Sequence, residues 1–262
     1  MKGILTMKKT LALLLAVVFM ALCFTGCSTK GKTLAEVKEA GKLVIATSPD
    51  FPPFENLEGD EIVGIEVELM GIIAEKLGIE CEFAQINFDA VLTGVQSGKY
   101  DCGMSGISVT PKREENTLFT KPYCRAAQCI VVKSDSAIAT KADLEGKKIS
   151  VQTGTTAAEF CGGEGYELSQ FEANQDAKLA LTQGKVDAWV VDDLTAAEMC
   201  KDDSSVKILE ESMTTEPYAF AFAFGSEDLV EEINKILDEL ISDGTVASIF
   251  EKYDAPYTKP EN

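Results

Sequence analysis

Residues 81–104, CEFAQINFDAVLTGVQSGKYDCGM, decide the fold class. Cys81–Ile86 is an apolar run of strand length. Asp89 is placed to cap a helix that runs to Ser97, where Gly98 stops it. Tyr100–Met104 then reads as another strand. Upstream, Leu43–Thr47 is a short buried strand. Ser48–Phe54 follows as a loop, because its three prolines forbid regular structure. Glu66–Leu77 reads as a helix with Leu69, Ile72, Ile73 and Leu77 on one stripe, ended by Gly78. Strands alternating with helices predict an α/β fold with mostly parallel sheets. Ligands of such sheets sit at the carboxyl ends of the strands.

Downstream, Gln96-Ser97-Gly98-Lys99-Tyr100-Asp101-Cys102 is echoed by Gln183-Gly184-Lys185-Val186-Asp187-Ala188. Leu43–Thr47 and Lys148–Gln152 each open a strand–helix series. The simplest account is two lobes of similar plan, although helix-Gly-Lys-strand connections recur in any α/β protein. Residues 36–124 and 216–262 are assigned to the first lobe, and 125–215 to the second. Tyr218–Phe224 is a long apolar strand returning to the first lobe. Leu229–Leu240 is an amphipathic helix closed by Gly244, and Ile249, Phe250 and Tyr253 pack behind it. Two chain crossings predict a two-stranded hinge, and a cleft between hinged lobes can close on a ligand.

The N-terminus is set apart from this plan. Residues 1–26 combine a basic start (Lys2, Lys8, Lys9) with an apolar run from Leu11 to Leu22, which describes a secretory signal peptide. Met7-Lys8-Lys9 is already a complete basic start, so Met1 and Met7 are both possible starts. Gly26-Cys27-Ser28 resembles a bacterial lipoprotein cleavage box, with Phe24 departing from the usual Leu. The resemblance implies lipidation of Cys27 and a polar tether through residue 35, holding the protein at the outer face of the cell membrane.

Lys and Arg number 24 against 43 Asp and Glu, a formal charge of −19. Losing Lys2, Lys8 and Lys9 with the signal makes it −22. Such a surface repels nucleic acid and anionic headgroups and supports solubility. Histidine is absent, which removes Ser-His-Asp and Cys-His nucleophiles, imidazole acid–base work and His-ligated metals. Cys81, Cys102, Cys124, Cys129, Cys161 and Cys200 contain no CxxC pair, so no metal site or cofactor is expected. Export permits disulfides. Cys161–Cys200 is one possible bridge, and Cys81 and Cys102 read as small buried hydrophobes.

The chemistry concentrates in Ser105-Gly106-Ile107-Ser108-Val109-Thr110-Pro111-Lys112-Arg113. Thr110 is a good N-cap and Pro111 a good first helical residue. Arg113 then lies in a first helical turn, against the helix dipole. An anion should compensate: Glu114, Glu115, another surface acid, or a ligand carboxylate held by two parallel hydrogen bonds. In Gln152-Thr153-Gly154-Thr155-Thr156, a strand turns into a helix for which Thr156 and Glu159 have capping-box spacing. Free N–H groups at that start can bind an anion. Asp192 and Asp193 end a strand, one suited to an ammonium group and the other to capping the next helix. Phe51 and Phe88 are placed as cleft walls, and Phe54 as core. Together these groups complement a zwitterionic α-amino acid.

On these residues, and on the Thr110–Arg113 segment with its ending Phe119-Thr120-Lys121-Pro122-Tyr123, the chain resembles bacterial solute-binding proteins of the polar amino acid family. The resemblance runs from about Leu34 to Tyr253. It implies a two-lobed periplasmic-binding-protein fold of type II. It also implies a monomeric, non-enzymatic receptor that delivers an L-amino acid to an ABC permease and its ATPase. In that pattern Arg113 clamps the α-carboxylate, helped by backbone groups of Ser108, Thr155 and Thr156. Asp192 and the Gly106 carbonyl take the α-ammonium. Phe51 and Phe88 flank the side chain, and Ser48 and Gln152 set its specificity. Ser48 departs from the acid that binders of cationic amino acids often carry there, and Asp50 is a possible substitute. Two other readings remain: an enzyme on the same fold, such as a dehydratase of cyclic acids, and a sensor acting through a membrane partner.

Overall fold

The computed structural model describes residues 30–260, so the signal peptide and Cys27 lie outside the described residues. Two five-stranded sheets each build one lobe. The first runs Glu80–Gln85, Lys42–Thr47, Cys102–Gly103, Ala221–Phe222, Leu118–Phe119. The second runs Glu167–Phe171, Lys148–Gln152, Ala188–Asp192, Gln128–Lys133, Val206–Ile208. In each, the first three strands are parallel and the last two antiparallel to their neighbours. The lobes therefore share one strand plan, and the carboxyl ends of both central parallel strands face one cleft.

The joint is a separate pair, Cys124–Ala126 with Glu216–Tyr218, antiparallel. The apolar run Tyr218–Phe224 is thus not one strand. Its start belongs to the hinge pair, and Ala221–Phe222 enters the first sheet. Tyr100–Met104 is likewise reduced to the strand Cys102–Gly103. The loop after Leu43–Thr47 is partly regular: Asp50–Phe51 pairs with Glu55–Glu58, which pairs with Glu61–Val63.

The first lobe packs Leu43, Ile45, Phe54, Leu69, Ile73, Phe222 and Phe250 on one sheet face. Val91, Val95 and Tyr100 cover the other. Helix Glu227–Ser242 ends at Asp243, one residue before Gly244, and buries Leu229, Ile233, Ile236, Leu237 and Leu240. Its apolar positions recur at helical spacing, so a single stripe meets the core.

Three local expectations are corrected. The helix after Cys81–Ile86 spans Phe88–Gln96 with Asn87 at its N-cap, and Asp89 lies inside its first turn. Thr155, not Thr156, caps helix Thr156–Gly163, accepting from the Ala158 N–H. Cys161 and Cys200 are both free. Cys161 packs with Ile130 and Val132, and Cys200 with Val131 and Trp189. Alternate residues of one strand face opposite sides of the sheet, so no bridge can join them.

Candidate functional site

Between the lobes lies a narrow cleft lined by Phe51, Phe88, Ser105, Gly106, Ser108, Arg113, Gln152, Thr155, Thr156 and Asp192, closed down to about 10 Å³ of enclosed space. Every site residue expected from sequence is there except Ser48, which sits one hydrogen bond behind, its N–H donating to Ser105 Oγ at 3.2 Å. Larger grooves elsewhere, such as that between Lys121 and Lys259, are open surface without this convergence of polar groups.

Thr110 caps the short helix Pro111–Glu114 by accepting from the Arg113 N–H at 3.2 Å. That turn aims the Arg113 side chain into the cleft. Its Nη1 donates to the Ser108 carbonyl at 2.8 Å, and Nη2 crosses the cleft to the Gly154 carbonyl at 3.2 Å. The Phe88 ring lies 5.9 Å from the guanidinium, within cation–π reach. Arg113 is 9% exposed, yet among the described residues no carboxylate comes within ion-pair distance of it. Lys112 takes Glu159 instead, at 2.7 Å. Burial pulls the Arg113 pKa down, opposed by the more distant charges of Glu159, Glu216 and Asp192. A desolvated cation bonded only to carbonyls demands an anion.

Asp192 ends the strand Ala188–Asp192 and is buried across the cavity. It accepts from the Tyr218 hydroxyl and, at 2.9 Å, from Gln128 Nε2. Burial first, then the charge of Glu216, push it up to about 8. Asp193 takes the structural part of the pair, accepting from the Leu194 and Ala127 N–H groups.

Gly106 has φ +53°, and a Cβ there would come within 2.3 Å of the Phe51 ring, so only glycine lets this turn sit on its aromatic floor. Phe51 stacks on fully buried Phe54, ring centroids 5.4 Å apart. Beneath the turn lies a carboxyl pair that sequence reasoning missed. Glu66 accepts from the Gly106 N–H at 3.0 Å and from the Tyr123 hydroxyl. Glu55 accepts from Ser105 Oγ at 2.6 Å. Burial first, then the charge of neighbouring Glu66, hold Glu55 well above the usual carboxylate range, and burial raises Glu66 as well. Glu55, raised the further, is the one of the pair that keeps its proton, and its buried Oε2, without any other partner, is the oxygen left to offer it to Glu66.

Glu216 was also missed. From the hinge strand it accepts from Ser108 Oγ, from Thr156 Oγ1 at 2.7 Å and from Thr214 Oγ1 at 2.8 Å. It thereby ties both lobes to the hinge. A lone glutamate at the start of a short strand carries no sequence signal of that kind.

Comparison with known proteins agrees with this architecture. The probable histidine-binding protein of Campylobacter jejuni subsp. jejuni is 33% identical over 257 residues, 95% of this chain and 99% of that one. A truncated, arginine-bound ArgBP from T. maritima matches with a TM-score of 0.76 at 35% identity, covering 79% of this chain and 99% of that one. The ancestral amino acid-binding protein AncCDT-1, a precursor of cyclohexadienyl dehydratase, matches with a TM-score of 0.79 at 32% identity, covering 85% and 99%. The family model of bacterial extracellular solute-binding proteins, family 3, covers residues 43–255, and the chain belongs to that family.

Proposed function

We propose that this protein is the extracytoplasmic receptor of an amino acid ABC importer, capturing an L-amino acid between its lobes and handing it to the permease. One observation carries the reading: a buried, unneutralised guanidinium at Arg113 faces a buried carboxyl at Asp192 across a single cavity. A zwitterion supplies the missing charge at both ends. Its carboxylate meets Arg113 and the free N–H groups where helix Thr156–Gly163 begins. Its ammonium meets Asp192 and the Gly106 carbonyl. Its side chain lies between Phe51 and Phe88, toward Ser105 and Gln152.

Capture and not catalysis is the reading because the cleft acids are occupied. Asp192 accepts two hydrogen bonds and Glu216 accepts three. Those bonds hold both carboxyls in fixed positions suited to binding, and histidine is absent from the chain as an acid–base partner. The basic start, apolar run and Gly26-Cys27-Ser28 support a lipid anchor at Cys27, after which the receptor acts as a monomer on the outer membrane face.

Isothermal calorimetry of the purified mature protein against the common amino acids tests this. At least one L-amino acid is expected to bind below about 10 µM, near −7 kcal/mol, and to be recovered unchanged. No binding tighter than high micromolar, or a chemically altered ligand, contradicts it.

A further inference from the structure

We propose that Asp50 is the latch of the closed cleft: it sets affinity by holding the two lobes together and makes no contact with the ligand. This inference rests on the receptor reading above. Asp50 projects from the first-lobe strand Asp50–Phe51, and both partners of its Oδ2 are in the second lobe. The Asn174 backbone N–H donates at 2.8 Å and Gln152 Nε2 at 3.0 Å. Its Oδ1 accepts from Ser48 Oγ at 2.8 Å, which fixes the carboxylate within its own lobe.

The second-lobe half of this contact is incomplete without Asp50. Asn174 opens the helix Asn174–Thr182, whose N-cap is Ala173, a residue with no side-chain acceptor. The first N–H groups of a helix have no partner inside it, and a carboxylate there also complements the helix dipole. The helix therefore draws its cap from the opposite lobe, and draws it only when the lobes meet. Gln152 is held ready: its Oε1 accepts from Asn174 Nδ2 at 3.0 Å, and its Nε2 also donates to the Glu172 carbonyl at 3.0 Å.

Close approach is built in nearby, where Gly154 (φ +81°) leaves only 3.0 Å between a notional Cβ and Asp89. Besides the part-buried bond from Arg113 to the Gly154 carbonyl, the cross-lobe contacts of Lys112 with Glu159, Asn87 with Glu172 and Lys201 with Asp254 are exposed and contribute little. Asp50 is partly buried: burial raises its pKa, and the hydrogen bonds from Asn174, Ser48 and Gln152 oppose that rise in part. Protein donors already engage both of its oxygens. It does not line the cavity.

If closure is set by Asp50, apparent affinity for every ligand scales with the closed population. Asp50→Ala is expected to weaken each amino acid the wild type binds by one common factor, about ten- to a hundredfold, through a faster off-rate. Asn174→Pro is expected to cost at least as much. Proline is favoured at a first helical position, and Ala173 is already extended as a residue before proline must be, so the helix is kept while the backbone donor and the Asn174 Nδ2 bond to Gln152 are lost. The double variant is expected to be no weaker than Asn174→Pro alone. Lys112→Ala is expected to leave affinity within about twofold.

Unchanged affinity in Asp50→Ala overturns the proposal. So does a loss confined to basic amino acids, or losses that multiply in the double variant. A wild type that binds no amino acid defeats the receptor reading instead. The latch is then judged by small-angle scattering of the unliganded proteins, where a larger radius of gyration in Asp50→Ala is expected and equal radii overturn it.

Discussion

Arg113 and Asp192 are costly residues to bury, and each cost has a direction that can be measured. Asp192 is pushed up to about 8 by burial and by Glu216. The closed, empty cleft therefore holds it protonated through neutrality, whereas a bound ammonium requires it ionised. Capture expels up to about one proton, and affinity rises with pH toward about 8 and levels above it. Calorimetry between about pH 6 and 9, in buffers of differing ionisation enthalpy, reads both the slope and the proton. Asp192→Asn is expected to bind weakly with a flattened slope, and a wild-type affinity independent of pH contradicts the assignment. Both residues are legible from sequence for local reasons. Arg113 stands against a helix dipole that Thr110-Pro111 announces, and Asp192 ends an apolar strand. Glu55, Glu66 and Glu216 are not legible, because each gains its role from partners distant in the chain. Asp50, which the sequence offers as a possible ligand acid, accepts from second-lobe donors, and that pairing is not legible along the chain.

At the scale of elements, the shared proton of Glu55 and Glu66 joins the strand Glu55–Glu58 to the first turn of helix Ile65–Leu77. Glu66 is the suitable anion of the two, because it lies at a helix N-terminus and accepts from the Gly106 N–H and the Tyr123 hydroxyl. Glu55 is raised well above 4.5 in the folded state, so that state keeps a proton that the unfolded chain has already lost above that pH. Stability therefore falls as pH rises from about 4.5 toward the folded pKa. Glu55→Gln keeps the acceptor for Ser105 and a donor for Glu66. It is expected to lie within about 1 kcal/mol of wild type near neutrality and to lose less stability on the alkaline side. Urea midpoints across pH test this, and parallel pH profiles for the two proteins contradict it. Element types were legible from periodicity and glycine stops, while several ends were not. Asn87 and Thr155 took the caps that Asp89 and Thr156 were expected to hold, since neighbouring polar residues compete for one position. The run Tyr218–Phe224 serves two sheets, and an apolar run does not show where it changes partner.

For the whole molecule, two similar sheets joined by one antiparallel strand pair form the type II periplasmic-binding-protein architecture. The repeat of helix, glycine and strand around Gly98 and Gly184 made the doubled plan readable. The closed arrangement was not readable, because it depends on contacts such as Arg113 with Gly154 and Asp50 with Asn174 that pair residues of different lobes. Closure excludes water from Arg113 and Asp192, so charges that are weak partners in solvent become strong ones. The most direct test is calorimetry of Arg113→Ala with the tightest ligand of the wild type, alongside thermal unfolding to establish that the variant is folded. Loss of a partner from a buried charged pair predicts affinity reduced by at least about a hundredfold, with the folded state retained. A folded Arg113→Ala protein that captures the same amino acid as tightly as wild type would contradict the account.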